Sequence, residues 1–489
     1  MTARPKLADL DAAPLERRIS RQWDEDIVAQ LVDYVRLPAK SPHFDPDWER
    51  NGHIEAAVRL AERWVRAQGV PGLALEIVRL PGRTPVLFFD IPATGGLAAE
   101  RSVLLYGHLD KQPEMTGWRE GLGPWTPVYR DGRLYGRGGA DDGYAVFATL
   151  SAIQALDAEG IARPRCVVLI ETSEESGSYD LPAYLDALAP RMGEVQLVVA
   201  LDSGAGNYEQ LWVTTSLRGL VNGTLEVKVL EEGVHSGDAG GVVPSSFRIA
   251  RQVLDRIDDS RTGIVRPAAF DSDIPAERIE QARQAAAILG DLMWKRFPWA
   301  ACCDDQGTAS LFAQPVTKDP VELVLNRTWR AALAVTGADG LPPTGAAGNV
   351  QRPYTKLKLS LRLPPPVDGP GAGEALARML EADPPHDAVV KFHCDSAATG
   401  WNAPPAAPWL SAALDAASQA SYGRPAAYMG EGGTIPFMAM LGARFPQAQM
   451  LVTGVLGPKS NAHGPNEFLH VPYAKKLTVA TAMIIAQVR

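Results

Sequence analysis

The sequence has few cysteines. Among its 489 residues there are four, Cys166, Cys302, Cys303 and Cys394, and no pair has the C-x-x-C spacing of a thiolate metal site or a redox motif. Disulfide frameworks are typical of short secreted domains rather than of a chain of this length. The pattern therefore predicts reduced thiols, and it argues against both a disulfide-stabilised fold and a thiolate-bound metal.

The chain also lacks long apolar runs and long basic runs. No segment approaches the roughly 20 apolar residues of a membrane-spanning helix, and the charged N-terminal segment has no apolar core typical of a signal peptide. The net charge of −9 argues against nucleic acid or an anionic membrane as a partner. We expect a cytoplasmic enzyme.

Apolar strand-like segments and helical segments alternate in the first part of the chain. Helical spacing is present on both sides of a polar interruption within 27–67. The strand-like segments that follow are TPVLFFDIP, SVLLYGHLD, RCVVLIETSEE and VQLVVALDSG, with helical patterns at 144–159 and 181–189. Continuous apolar strands that alternate with helices are typical of a largely parallel sheet covered by helices on both faces. The sequence thus predicts an α/β fold, in which ligands bind at the carboxyl ends of the strands.

The pattern changes after Trp212. The segments GLVNGTLEVKVLE and YTKLKLSLRLPP alternate apolar and polar residues with the period of half-buried antiparallel strands, and helical patterns lie between them. From about Ala397 helical and apolar segments return. An α+β domain inserted into the α/β domain explains this order most economically. We predict a catalytic domain made of 1–213 and 397–489, and an inserted domain at 214–396.

Side chains that bind metals occur where the predicted parallel strands end. In chain order they are His108 and Asp110, Asp141 and Asp142 at the start of a helix, Glu174 and Glu175, Asp202, and His463 in a loop near the C-terminus. Taken singly, a tandem aspartate is more often a helix cap, and a glutamate pair is more often solvated. Their joint occurrence at successive strand ends favours a common site.

This set of donors suits two divalent metal ions. Zinc accepts imidazole nitrogen and carboxylate oxygen, and two neighbouring ions need a bridging carboxylate. Of two adjacent carboxylates such as Glu174 and Glu175, one can bind metal while the other takes a proton from water. Asp110, two residues after His108, can orient the imidazole without binding the metal itself.

Eight motifs occur in order from about residue 100 to the C-terminus: GHLD, LYGRGGADD, EESGS, LDSG, RGL, VHSGDAGG, EGGTIP and NAHGPNE. With them the chain resembles the co-catalytic dinuclear zinc metallopeptidase family of carnosinase-like dipeptidases, glutamate carboxypeptidases, aminoacylases, and acetylornithine deacetylase and succinyl-diaminopimelate desuccinylase. The likeness is greatest to the dipeptidase (carnosinase-like) branch. It implies a zinc aminopeptidase-like catalytic domain, with a mostly parallel sheet sandwiched by helices, and an inserted α+β lid and dimerisation domain.

The resemblance implies that five side chains hold two divalent metal ions. His108 and Asp202 would hold one ion, and Glu175 and His463 would hold the other. Asp141 would bridge the two. We expect zinc, with manganese or cobalt as alternatives.

Three further residues have roles that the resemblance implies. Glu174 would be the general base that later protonates the leaving amine, and Asp110 would support His108. His235, in the inserted domain, would reach the active site of a partner subunit and polarise the scissile carbonyl. We therefore expect a homodimer. The resemblance also implies a cis peptide bond at Asp141.

Other residues are implied to bind the substrate. Asn349 and Arg362 match polar and guanidinium contacts, and arginine suits bidentate capture of a carboxylate. An exposed strand arginine with no such role is the alternative for Arg362. Gly432, Gly433 and Thr434 of the EGGTIP motif would bring backbone N–H groups and a hydroxyl to the terminal carboxylate of the substrate.

The sequence departs from the family pattern at two positions. Many members have arginine where this chain has Gly430, and many have lysine after the paired aspartates, where this chain has Gly143. Neither position is a predicted metal ligand. Because Gly430 has no guanidinium group, the sequence does not decide which residues contact the substrate carboxylate.

Together these features predict a metal-dependent hydrolase of amide bonds in dipeptides or short peptides with a free carboxylate. An N-acyl-amino-acid deacylase would keep the same metal ligands, and Gly430 leaves this alternative open. A catalytically silent metal-binding homologue is a further alternative. A hydroxyl nucleophile at Ser236 is disfavoured, because HSG lacks the strand-turn-helix setting of G-x-S-x-G.

Overall fold

The computed structural model describes residues 10–303 and 309–488. The strands are β1 (Ala74–Val78), β2 (Val86–Ile91), β3 (Arg101–His108), β4 (Val128–Arg130), β5 (Arg133–Tyr135), β6 (Arg165–Glu171), β7 (Glu194–Ala200), β8 (Trp212–Leu217), β9 (Gly219–Lys228), β10 (Val234–His235), β11 (Ala301–Cys303), β12 (Ala309–Phe312), β13 (Ala332–Asp339), β14 (Val350–Gln351), β15 (Tyr354–Leu363), β16 (Val389–Ala398), β17 (Trp401–Asn402), β18 (Ala427–Glu431), β19 (Gln449–Val452) and β20 (Phe468–His470). The α-helices are α1 (Ala12–Gln22), α2 (Val28–Val35), α3 (Trp48–Asn51), α4 (His53–Ala67), α5 (Tyr144–Ala158), α6 (Leu181–Met192), α7 (Ser236–Ala239), α8 (Ser246–Leu254), α9 (Ala276–Leu289), α10 (Leu292–Lys295), α11 (Pro320–Thr328), α12 (Gly369–Glu381), α13 (Pro408–Tyr422), α14 (Pro436–Arg444) and α15 (Val471–Ile485).

The chain divides into two compact units. Unit 1 contains Met1–Thr214, Ala403–Tyr428 and Met440–Arg489, and unit 2 contains Thr215–Asn402 and Met429–Ala439. The EGGTIP motif thus belongs to unit 2, whereas the sequence pattern assigns all of 397–489 to the catalytic domain. The reason is local, because Glu431 pairs with Arg327 and the backbone oxygen of Gly432 accepts a hydrogen bond from Arg218.

Unit 1 is built on a six-stranded sheet of order β1-β2-β6-β3-β7-β19. Strands β6, β3, β7 and β19 run parallel, whereas β1 pairs antiparallel with β2, and β2 pairs antiparallel with β6. The short turn between β1 and β2 permits only a hairpin, since a parallel connection needs a longer crossover. The predicted parallel character therefore applies to the four strands that carry the candidate site.

Helices with little amphipathic pattern cover this sheet. In α5 and α15, nearly every residue is buried, because the two helices lie in the interior of the unit rather than at its surface. The N-terminal helix begins earlier than the apolar pattern from residue 27 predicts. It starts at Ala12, where the carboxylate of Asp11 accepts the N–H of Ala13 and so caps the helix.

Unit 2 contains an antiparallel sheet of order β13-β15-β9-β16. Along β9 and β15 alternate residues are buried, as the period of two in the sequence predicts. Helices α8 and α12 pack on the buried face and contribute Ile249, Val253, Leu376 and Leu380 to the core.

Cys166 and Cys394 are free thiols, and the side chains of Cys302 and Cys303 lie outside the described part of the structure. Within residues 10–303 and 309–488, none of the helices has the length and apolar character needed to cross a membrane.

Candidate metal centre and active site

The carboxyl ends of three neighbouring parallel strands place four of the predicted side chains together. Strand β3 lies between β6 and β7 and ends at His108. Glu174 and Glu175 lie in a single helical turn that follows β6, and Asp202 follows β7 by two residues. Because parallel strands end at the same edge of a sheet, donors far apart in the sequence become neighbours in space.

A second sheet brings in the remaining two donors. Strand β20 pairs antiparallel with β5, so that Phe468 faces Tyr135. The chain after β5 turns through Gly138 to Asp141, and the loop before β20 carries His463. The peptide bond between Asp141 and Asp142 is cis, as the resemblance implies.

The donors form two groups that share Asp141. The first is His108, Asp141 and Asp202, and the second is Asp141, Glu175 and His463. One oxygen of Asp141 lies 3.5 Å from His108 Nε2, and the other lies 3.0 Å from His463 Nε2. Asp202 Oδ2 lies 3.7 Å from His108 Nε2, and Glu175 Oε2 lies 3.4 Å from His463 Nε2.

Burial and mutual repulsion disfavour the charged form of two carboxylates in these groups. Burial, and then the charge of Asp141, raise the pKa of Asp202 to about 7 and that of Glu175 to about 8. Burial also acts to raise the pKa of Asp141, but the neighbouring imidazole groups of His108 and His463 outweigh it and hold this pKa below its usual range. Carboxylates packed out of water in this way are stabilised by bound cations.

His108 is oriented by Asp110. Its Nδ1 lies 3.0 Å from the backbone oxygen of Asp110 and 3.4 Å from Oδ1. A carbonyl oxygen only accepts, so Nδ1 carries the proton and Nε2 presents a lone pair. This Nε2 is buried and has no hydrogen-bond partner among the described residues, as expected of a metal ligand.

The carboxylate of Asp110 also fixes the neighbouring glutamates. It accepts the backbone N–H of Glu174 at 3.1 Å and that of Glu175 at 2.9 Å. Asp110 is in neither donor group. Through its contacts with His108 and with these two N–H groups, Asp110 links the strand end at His108 to the turn that holds both glutamates.

Two buried residues that the sequence analysis does not single out hold the His463 loop. Arg137 donates to the backbone oxygens of His463 and Gly464, both at 2.9 Å, and forms an ion pair with Glu467. Glu467 also accepts the N–H of Gly138 at 2.8 Å. His463 has a φ of 64°, a left-handed backbone conformation that costs energy for any residue other than glycine. The ion pair thus fixes both loops of the site. In the sequence, these two residues are marked only by their places in motifs, because Arg137 is the arginine of YGRGG and Glu467 is the last residue of NAHGPNE.

Another missed residue is Gln112, whose Nε2 donates to Glu175 Oε2 at 2.6 Å.

The two departures from the family pattern have packing causes. A Cβ on Gly143 would overlap the ring of Tyr34, and a Cβ on Gly430 would overlap Ser216 Oγ and lie 2.9 Å from Thr328 Cβ. Neither position has room for a long side chain. We therefore attach no substrate preference to Gly430.

The other predicted site residues lie in unit 2, in two places. His235 is in β10 and pairs with Val350 of β14, next to Asn349, and both His235 and Asn349 are exposed. Arg362 Nη1 donates to Thr434 Oγ1 at 3.0 Å, within the same unit as Gly432 and Gly433.

Comparison with known proteins identifies the family. The sequence model of peptidase family M20/M25/M40 matches residues 104–487. A cysteinylglycine-S-conjugate dipeptidase of Corynebacterium striatum is 27% identical over 447 residues, which is 89% of this chain and 91% of that protein.

Solved structures show the same fold. The dipeptidase Dug1p of Saccharomyces cerevisiae superposes with a TM-score of 0.74 at 19% identity, over 97% of this chain and 98% of its own. Human carnosine dipeptidase 1 superposes with a TM-score of 0.73 at 20% identity, over 98% of this chain and 99% of its own. These likenesses confirm the predicted α/β class, and the family match confirms the resemblance seen in the motifs. The chain belongs to peptidase family M20/M25/M40.

Proposed function

We propose that this protein is a metal-dependent dipeptidase that hydrolyses the amide bond of dipeptides or short peptides with a free carboxylate. The observation that carries the proposal is the position of Asp141, whose two oxygens face a histidine from each donor group. A dinuclear hydrolase needs a carboxylate shared in this way. The dipeptidase relative of C. striatum supports dipeptides as the substrate class. A cytoplasmic location is part of the same proposal.

The donor set fits two divalent cations. His108, Asp141 and Asp202 would hold one, and Asp141 would share the other with Glu175 and His463. Imidazole and carboxylate donors suit zinc, with manganese and cobalt as alternatives. When bound, the ions would polarise the scissile carbonyl and lower the pKa of a water molecule in the site.

Glu174 would move the proton. Its Oε2 lies 4.0 Å from His108 Nε2, yet it belongs to neither donor group. Burial, and then the charge of Asp202, raise its pKa, which favours uptake of a proton. The carboxylate would accept a proton from the attacking water and donate it to the leaving amine.

The substrate contacts proposed for unit 2 depend on the family resemblance. Arg362 and Thr434, which are hydrogen-bonded to each other, would bind the terminal carboxylate of the substrate. The backbone N–H groups of Gly432 and Gly433 would add to this contact, and Asn349 would bind a polar group of the substrate.

A hydrolysis screen tests the proposed function. We expect zinc-loaded protein to release free amino acids from dipeptides such as Ala-Ala faster than it deacylates the matched compound N-acetyl-Ala. Thorough chelation should abolish the activity, and added zinc, manganese or cobalt should restore it. Preference for N-acetyl-Ala would favour the deacylase alternative. Turnover that survives chelation would rule out metal dependence.

We also propose a homodimer in which His235 acts in the site of the partner subunit. His235 Nδ1 accepts the N–H of Gly237 at 3.1 Å, so the proton is on Nε2, which can donate to a carbonyl oxygen. Co-expression of Glu174→Gln and His235→Ala chains should restore about a quarter of wild-type activity, because a mixed dimer then has one intact site. If His235 acts within its own chain, the mixture should stay inactive.

A further inference from the structure

Three arginine side chains of unit 2 gather around the segment 431–434, which begins at the last residue of β18. They are Arg218, Arg327 and Arg362. They come from separate parts of the chain, so the tertiary fold of unit 2 brings them together. The acidic side chain among them is Glu431.

Contacts within this cluster fix the segment. Thr434 Oγ1 accepts from Arg362 Nη1 at 3.0 Å and donates to the backbone oxygen of Arg218 at 2.6 Å. Arg218 Nε donates to the backbone oxygen of Gly432 at 3.3 Å, and its Nη1 donates to that of Asn326 at 3.2 Å. Two nitrogens of Arg218, Nε and Nη1, thus donate to the protein itself.

Arg327 has donor capacity to spare. It lies in α11, and its Nη2 donates to Glu431 Oε2 at 2.6 Å. Its Nη1 is buried and has no hydrogen-bond partner in the part of the chain that the structure describes. A buried guanidinium nitrogen without an acceptor is costly, so this group is ready to take a further anionic oxygen.

The cluster also has more positive charge than it can neutralise. Three guanidinium groups and one carboxylate, that of Glu431, lie around this segment. Burial, followed by repulsion from Arg362 and Arg327, lowers the pKa of Arg218 to about 10. With one substrate carboxylate on Arg362, an excess of one positive charge would remain, which favours a substrate with a second carboxylate.

We propose that this cluster selects dipeptides whose C-terminal residue is glutamate or aspartate. Arg362 and Thr434 bind the main-chain carboxylate, and Arg327 binds the side-chain carboxylate through Nη1. This specificity depends on the proposed dipeptidase function, whereas the affinity of the cluster for a dicarboxylate does not. Arg327 is then a specificity-determining residue supplied by α11.

The first test compares Ala-Glu with its neutral isostere Ala-Gln. Wild-type protein should prefer Ala-Glu in kcat/KM by about tenfold or more, since a charge-assisted hydrogen bond contributes on that scale. Arg327→Met should remove this preference, with a loss of kcat/KM about tenfold greater for Ala-Glu than for Ala-Gln. Arg327→Lys should keep part of the preference as a point charge. Arg330→Met is the matched control, because Arg330 is bound to Glu322 and Asn326 side chains, and it should behave as wild type.

Two outcomes would overturn the specificity. The first is that wild-type protein has the same kcat/KM for Ala-Glu and Ala-Gln. The second is that Arg327→Met and Arg327→Lys each lower kcat/KM for Ala-Glu and Ala-Gln by the same factor. Calorimetric titration of the holoenzyme with glutarate distinguishes failure of the proposed specificity from failure of the proposed dipeptidase function, because it measures binding without hydrolysis. Glutarate should bind about tenfold more weakly to Arg327→Met than to wild type or Arg330→Met, even if no dipeptide is hydrolysed. Unchanged glutarate affinity in Arg327→Met would overturn the arginine site itself.

Discussion

Replacing Glu174 by glutamine is expected to lower kcat by about 10² to 10⁴, the range that a positioned general acid–base supplies. The amide has nearly the same shape as the carboxylate but cannot accept the proton of the attacking water. Glu174 is in neither donor group, so the metal content should stay at the wild-type value. Its side chain is 11% exposed, and an uncharged replacement removes repulsion with Asp202, so we expect no loss of thermal stability.

The adjacent glutamate provides the matched control. Glu175 Oε2 faces His463, and Glu175→Gln should lower the bound metal measured by mass spectrometry, whereas Glu174→Gln should not. Metal content, Tm and kcat are to be measured on the same preparations. Near-normal turnover in Glu174→Gln would contradict its role as the base. Loss of metal in that variant would instead make it a ligand.

The donors at the strand ends could be predicted from the sequence because parallel strands impose a simple rule. A strand that ends in His108, and strands followed by Glu175 and Asp202, must bring these side chains to one edge of the sheet. The place of His463 depends instead on the pairing of β20 with β5, which no local pattern shows. For that residue the prediction depends on its loop near the C-terminus and on the order of the motifs, not on a strand end.

Partners of the candidate ligands were harder to predict. Arg137 and Glu467 are 330 residues apart in the chain, and each alone resembles an ordinary surface charge until the fold pairs them. The same holds for Arg327, which lies in a short helix and meets Glu431 across 104 residues. Charged side chains carry no periodic signal, so the sequence does not show which of them become buried.

The glycines at 143 and 430 illustrate the opposite case, in which the sequence shows a difference but not its cause. Read alone, Gly430 weakens the case for a substrate carboxylate, because a guanidinium group is missing. In the structure the space is filled by Ser216 and Thr328, and guanidinium groups reach the neighbouring segment from other parts of unit 2. Absence of a side chain at one position therefore says little about the charge of the site.

Replacing Asp141 by alanine is expected to remove both metal ions and all measurable activity. Asp141 is the residue that the two donor groups share, and its oxygens lie 3.5 Å from His108 Nε2 and 3.0 Å from His463 Nε2. Without it each group keeps only two donors, which is too few for tight binding of a zinc ion. Mass spectrometry of dialysed protein should give two ions per wild-type chain and none in the variant. Added zinc should raise the Tm of the wild type but not that of Asp141→Ala, because ligand binding stabilises only a protein with an intact site.

Two neighbouring aspartates make this prediction specific. Asp202→Ala should lose one ion and keep the other, because Asp202 is in one group only. Asp110→Ala removes a buried carboxylate that touches His108 Nδ1 and the N–H groups of both glutamates, but no donor of either group. It should keep both ions and lose about 10- to 100-fold in metal affinity or activity, the usual cost of removing a residue that orients a ligand. Loss of a single ion in Asp141→Ala would show that this carboxylate does not bridge. If Asp110→Ala lost both metal ions while Asp141→Ala still bound them, Asp110 would be the shared ligand and Asp141 the residue that orients a ligand.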